Sequence, residues 1–134
     1  MKIVVDVNVV LSGLLKDAFS RRIILQSGHD FYFPGISLQK IQKYEPYLLE
    51  KSGLSRKDFQ ALLGALYDKI RVVPIEDLQG HWETAKKIMG PIDPEDAVFI
   101  AAALSLGAVI WSDDAHFDRQ KKVKVFKTKD MAKG

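Results

Sequence analysis

Lys2-Ile3-Val4-Val5-Asp6-Val7-Asn8-Val9-Val10 opens the chain, and its reading decides the fold. The run is apolar and β-branched, with one carboxylate inside it. An apolar run without alternation suits a strand covered on both faces, as in a parallel sheet. Residues 2–6 are read as that strand, which puts Asp6 at its C-terminal end. A lone acid there is costly to bury unless something pairs with it. In open α/β sheets, ligands also bind at this edge. The rest of the chain is therefore searched for groups that share a site with Asp6.

Working outward, Leu11 to Gly28 is helical in pattern, with a break near Lys16-Asp17. Phe31-Tyr32-Phe33 is a short strand closed by Pro34-Gly35. Ser37 caps a helix running to about Lys51, and Pro46 predicts a kink or two shorter helices there. Ser55 to Ile70 is amphipathic and opens on a Ser55/Asp58 capping pair. Arg71 to Val73 is a strand and His81 to Met89 a helix. Asp93-Pro94-Glu95-Asp96 opens a very apolar helix, Ala97 to Leu106, ended by Gly107. Ala108 to Trp111 is a second buried strand, Val123 to Phe126 a last one, and Thr128 begins a terminal helix. Strands alternating with helices imply an α/β fold, with a largely parallel sheet covered on both faces. No linker or repeat divides residues 1–134, which are read as one domain.

The 47% hydrophobic and 28% charged content is that of an ordinary globular protein. The absence of cysteine excludes disulfides, zinc–thiolate sites and thiol catalysis, and fits a reducing cytoplasm. No basic segment followed by an apolar one opens the chain, so no signal peptide is read. No apolar run approaches the roughly 20 residues that span a bilayer, so no membrane role is expected. The formal net charge is +3. Arg119, Lys121, Lys122, Lys124, Lys127, Lys129 and Lys133 face a single acid, Asp130, in the C-terminal segment. A basic rim beside an acidic centre suits a polyanionic substrate. A solvated sheet edge guarded by lysines is the competing reading.

Three acidic points fall at related places in this architecture. Asp6 ends the first strand, Asp96 opens the most apolar helix, and Asp113-Asp114 follow the second buried strand. If both strands are central and parallel, Asp6 and the 113–114 pair emerge at one edge. Carboxylates a few ångströms apart stay ionised only around a cation, and hard oxygen ligands suit Mg²⁺ or Mn²⁺. Asp93 is read first as an N-cap, with metal ligation as its second role. Asp96 either binds metal or favours the helix dipole. Asp113 is read as a turn residue and Asp114 as the better ligand. Asn8 caps the following helix or hydrogen-bonds Asp6. Ser112 orients a water or phosphate, or starts the turn. His116 stacks or hydrogen-bonds near the site, or is a lone surface histidine, the reading preferred.

Val4 to Ser12 resembles the opening motif of PIN-domain ribonucleases, the family of the VapC toxins. Asp93-Pro94-Glu95-Asp96-Ala97-Val98-Phe99-Ile100-Ala101-Ala102-Ala103 resembles that family's acid-led, alanine-rich helix. Ile110-Trp111-Ser112-Asp113-Asp114-Ala115-His116-Phe117 resembles its strand ending in Ser/Thr, one residue, then Asp. The three motifs occur in the family's order across nearly the whole chain. The resemblance implies a three-layer α/β/α sandwich with a central, mostly parallel sheet. It implies metal-binding acids at Asp6, Asp96 and Asp114 and the site hydroxyl at Ser112. It also implies a divalent ion, cleavage of single-stranded RNA, and often a homodimer neutralised by an antitoxin protein.

One position departs from the pattern. Where family members usually carry a glutamate, after a phrase like Phe33 to Leu38, this chain has Lys40. Glu45 lies about 140° further round a helix and is a poor substitute. Lys40 is either a solvated helix lysine or a base that pairs with Asp6 or Asp96 and partly replaces the cation. Asn8, Lys40, Lys121 and Lys122 are the substrate-binding candidates. The leading expectation is a metal-dependent endoribonuclease, possible toxin of a toxin–antitoxin pair. The alternative is a degenerate PIN-fold protein that binds RNA or a protein partner without efficient cleavage. A haloacid-dehalogenase-type phosphatase fits less well. Asn8 stands where that family has its acid/base aspartate, and no lysine motif precedes the acidic pair.

Overall fold

The computed structural model describes residues 1–15 and 19–132. The expected break near Lys16-Asp17 lies outside the described residues. Five strands form one sheet: β1 (Lys2–Val5), β2 (Asp30–Pro34), β3 (Ile70–Val73), β4 (Val109–Trp111) and β5 (Val125–Phe126). Their order is β3-β2-β1-β4-β5, and every pairing is parallel. The helices are α1 (Val7–Gly13), α2 (Phe19–Gln26), α3 (Leu38–Ser52), α4 (Arg56–Lys69), α5 (Trp82–Met89), α6 (Ala97–Leu106) and α7 (Thr128–Met131). This is the expected α/β sandwich. No helix among the described residues is long and apolar enough to cross a membrane.

Central β1 explains its own sequence. Ile3, Val4 and Val5 are fully buried between helical layers, so no polar residue alternates with them. Seven consecutive residues of α6, Ala97 to Ala103, are buried too. Its alanines let it lie close against β1, β2, β4 and α5. The chain steps outward from β1 to β2 and β3, then returns to build β4 and β5 on the other side. The order therefore reverses between β1 and β4. The crevice at such a reversal, outside the strands' C-terminal ends, is the natural ligand site of this sheet type. Gly53 and Gly107 end α3 and α6 with φ of 71° and 63°, a conformation that disfavours any side chain.

Several expectations are corrected. The strand stops at Val5, and α1 starts at Val7 rather than Leu11. Asp6 holds the N-cap position in extended geometry, and its carbonyl accepts the N–H groups of Val9 and Val10 at 3.1 and 3.3 Å. Asn8 is therefore inside α1 and caps nothing. Ser37 makes no capping bond to α3, because a 3₁₀ turn, Gly35–Ser37, precedes that helix. Pro46 neither splits α3 nor shortens it. It lies on the solvent face, where water can satisfy the carbonyl it leaves without a donor. Val123 belongs to a turn, not to β5. The Gln120 side chain accepts from its N–H and donates to its carbonyl, both at 2.9 Å.

Candidate functional site

The last backbone bond between β1 and β4 runs from the Asp6 N–H to the Trp111 carbonyl at 3.0 Å. It sets Asp6 beside Ser112, the next residue after β4. The fully buried Ser112 hydroxyl donates to Asp6 Oδ2 at 2.7 Å and accepts the Asp114 N–H at 3.0 Å. Ser112 thus holds Asp6 in place and shapes the turn that presents Asp114. Asp113 points elsewhere. Its two oxygens accept the N–H and hydroxyl of Thr128 at 2.8 and 2.6 Å, fastening α7. Asp113 is therefore an anchor for α7, a role the turn reading did not include.

Asp96 arrives from the 3₁₀ turn Pro94–Asp96 ahead of α6. Its side chain caps no helix. Asp96 Oδ2 is shielded from solvent, and no group among the described residues donates to it. Asp93 has a divided role. Its Oδ1 accepts the Glu95 N–H at 3.2 Å as an N-cap, while Oδ2 lies 3.1 Å from His116 Nδ1. Asp6, Asn8, Lys40, Asp93, Asp96 and Asp114 share one cleft of about 390 Å³.

Burial holds the Asp6 carboxyl above the usual carboxylate range, against the Ser112 hydrogen bond, which favours the charged form. Burial also pushes Asp96 up to about 7, helped by the charges of Asp93, Asp6 and Asp114. Lys40 pulls both the other way. These acids resist ionising together, and a cation among them would relieve that cost. Among the described residues Asp96 Oδ2 is a buried acceptor without a donor, and the donor set is rich in hard oxygens. Both features fit a divalent ion.

Lys40 does line the cleft, but its ammonium pairs with Glu95 at 3.5 Å, not with Asp6 or Asp96. Lys121 and Lys122 are not brought to the site. They precede β5, whose start is level with Ile110 through the bond from the Ile110 N–H to the Lys124 carbonyl. Neither lysine is among the residues that line the cleft. Sequence reasoning missed Glu95, Lys43 and Tyr44, and preferred a surface role for His116 over the place near the site that it takes. His116 Nδ1 lies 3.1 Å from Asp93, 3.5 Å from Asp114 and 3.8 Å from Asp96. The available signal was its place two residues after Asp114, which accepts the His116 N–H at 2.9 Å and turns the imidazole back over the acids. Lys43 and Tyr44 follow Lys40 by about one helical turn and face the same cleft.

The PIN domain family model matches residues 4–131. The chain belongs to the PIN domain family. Two solved structures share this PIN fold. VapBC2 from Rickettsia felis, bound to a DNA fragment from its promoter, superposes with a TM-score of 0.68 at 13% identity. That alignment covers 95% of this chain and 98% of the other. FitAB bound to an IR36 DNA fragment gives a TM-score of 0.63 at 18% identity, with 94% of each chain covered. No curated protein matches the chain significantly.

Proposed function

We propose that this chain, acting as one domain over residues 1–134, is a divalent-metal-dependent endoribonuclease that hydrolyses phosphodiester bonds of single-stranded RNA. The observation that carries the reading is the convergence of Asp6, Asp96 and Asp114 on the crevice where the strand order reverses, around a buried Asp96 oxygen that lacks a donor among the described residues. Family membership supports it, since PIN domains are usually nucleases that use divalent metals.

Asp6, Asp96 and Asp114 are the residues that would hold Mg²⁺ or Mn²⁺, with Asp93 beside them. Such an ion supplies an activated water and neutralises phosphate charge when bound. Ser112 is a positioning residue, because its proton is committed to Asp6. Asn8 and Lys40 line the cleft on the substrate side, and Lys43 adds a second cation for the RNA backbone. Tyr44, 44% exposed on the same wall, offers a face on which an unpaired base stacks.

The likeness to VapBC2 and FitAB supports a cytoplasmic toxin with an antitoxin protein as partner, and a homodimer. The second reading, a PIN domain that binds RNA or a protein partner but cuts poorly, is favoured by Lys40 standing in the cleft wall. One experiment separates the two. Wild type, Asp6→Asn, Asp114→Asn and Lys40→Glu are compared on single-stranded RNA across a Mn²⁺ titration. Cleavage by wild type that both asparagine variants abolish supports the nuclease. An inert wild type beside an active Lys40→Glu supports the binding protein. Equal cleavage by wild type and Asp6→Asn means the site lies elsewhere.

A further inference from the structure

The function proposed above uses carboxylates alone, yet an imidazole sits among them. We propose that His116 Nδ1 is itself a metal ligand, completing with Asp93 and Asp96 a mixed nitrogen–oxygen site that takes Mn²⁺ or a similar first-row transition ion in preference to Mg²⁺. The inference rests on the metal-dependent reading of this cleft.

Donor spacing carries the first part of the argument. His116 Nδ1, one Asp93 oxygen and one Asp96 oxygen all lie within 4.8 Å of one another. Two ligands about 2.1 Å from one ion and at right angles are about 3 Å apart. The Nδ1 distances of 3.1 Å to Asp93 Oδ2 and 3.8 Å to Asp96 Oδ2 need only small closure to reach that geometry. The second part concerns the surroundings of the Asp96 oxygen rather than the donor spacing. Asp96 Oδ2 is shut off from solvent and has no donor among the described residues, so a ligand at this point would satisfy it. Hydrogen bonding of His116 to Asp93 alone leaves that oxygen unsatisfied.

The placement is also built in. Phe117, fully buried, meets Phe99 of α6 edge-on, with ring centroids 6.3 Å apart and planes at 88°. Phe99 follows Asp96 by three residues and Phe117 follows His116 directly. One aromatic contact therefore fixes the imidazole against the carboxylate. A neutral imidazole ligates through Nδ1 with its proton on Nε2. Imidazole suits transition ions, whereas Mg²⁺ prefers oxygen and water, so the nitrogen is what sets the preference.

The test uses the full chain, stripped by chelation and loaded with Mn²⁺. Pulsed electron paramagnetic resonance should show modulation from directly bound nitrogen, and ¹⁵N-histidine labelling should change it. His116→Asn should abolish the modulation and weaken Mn²⁺ binding by about tenfold or more, while Mg²⁺ affinity, read by calorimetry, moves less than about threefold. If His116→Asn fails to fold by circular dichroism, the labelled wild-type spectrum decides alone. Mn²⁺ bound without nitrogen modulation overturns this proposal and leaves the metal-dependent nuclease standing. So does a His116→Asn variant that loses both ions equally. A wild type that binds neither ion overturns both readings together.

Discussion

Asp96 shows how much a single residue costs this fold. Its carboxyl titrates near 7 instead of 3.8, chiefly because it is buried and secondarily because Asp93, Asp6 and Asp114 surround it. The sign follows from proton linkage. Between the unfolded and folded values the folded state binds the extra proton, so stability is fullest below the unfolded pKa and is lost as pH rises through about 7. A shift of this size corresponds to at most about 4 kcal/mol. Asp6, also raised, adds in the same direction. In chelator, wild type is expected to melt several degrees lower at pH 8.5 than at pH 5.5. Asp96→Asn, which cannot ionise, should lose much less and should be the more stable protein at pH 8.5. Scanning calorimetry at the two pH values checks this, and a parallel decline in both proteins would sink it.

At the scale of elements, the site depends on α6 and the 3₁₀ turn Ala115–Arg119 being locked together. Phe99 also meets Phe33 of β2, with centroids 6.0 Å apart, so the Phe99–Phe117 contact extends an aromatic chain through the core. Phe117→Ala leaves a ring-sized cavity and should cost on the order of 3–5 kcal/mol. It should also free His116 from Asp96. The expected result in urea denaturation is a lower midpoint with an unchanged slope, together with weaker Mn²⁺ binding than the stability loss alone accounts for. Phe59, equally buried on α4 but remote from the cleft, supplies the control: Phe59→Ala should lower the midpoint comparably and spare the ion.

At the scale of the whole molecule, what could be read from sequence follows the range of the interactions. The apolar run of β1 and the Ser55 cap of α4 are local, and both were legible. Asp6 and Asp114 were legible too, because parallel topology alone sends the ends of β1 and β4 to one edge. The onset of α1 was not, since valines favour strand until the chain direction is fixed by Asp6. The Lys40–Glu95 pair depends on how α3 meets the 3₁₀ turn ahead of α6, which no spacing encodes. The place of His116 two residues after Asp114 is only a local signal, which leaves its approach to Asp93 and Asp96 to the packing of its turn against α6. The resulting cleft concentrates acids at a cost in folding, the usual compromise of a functional site. An ion that binds only the folded state reverses that cost by mass action. At 100 times its dissociation constant it adds about 2.7 kcal/mol, or roughly 8–10 °C for a chain of 134 residues. Mn²⁺ should therefore raise the melting temperature of wild type, and more at pH 8 than at pH 5.5, because the acids must shed their protons to bind. Asp6→Asn should be nearly indifferent to the ion at both pH values, while Lys40→Glu, with one cation fewer and one acid more, should gain more than wild type. Differential scanning fluorimetry over a Mn²⁺ series measures all three, and an equal rise in Asp6→Asn would show that the ion stabilises the fold from somewhere other than this cleft.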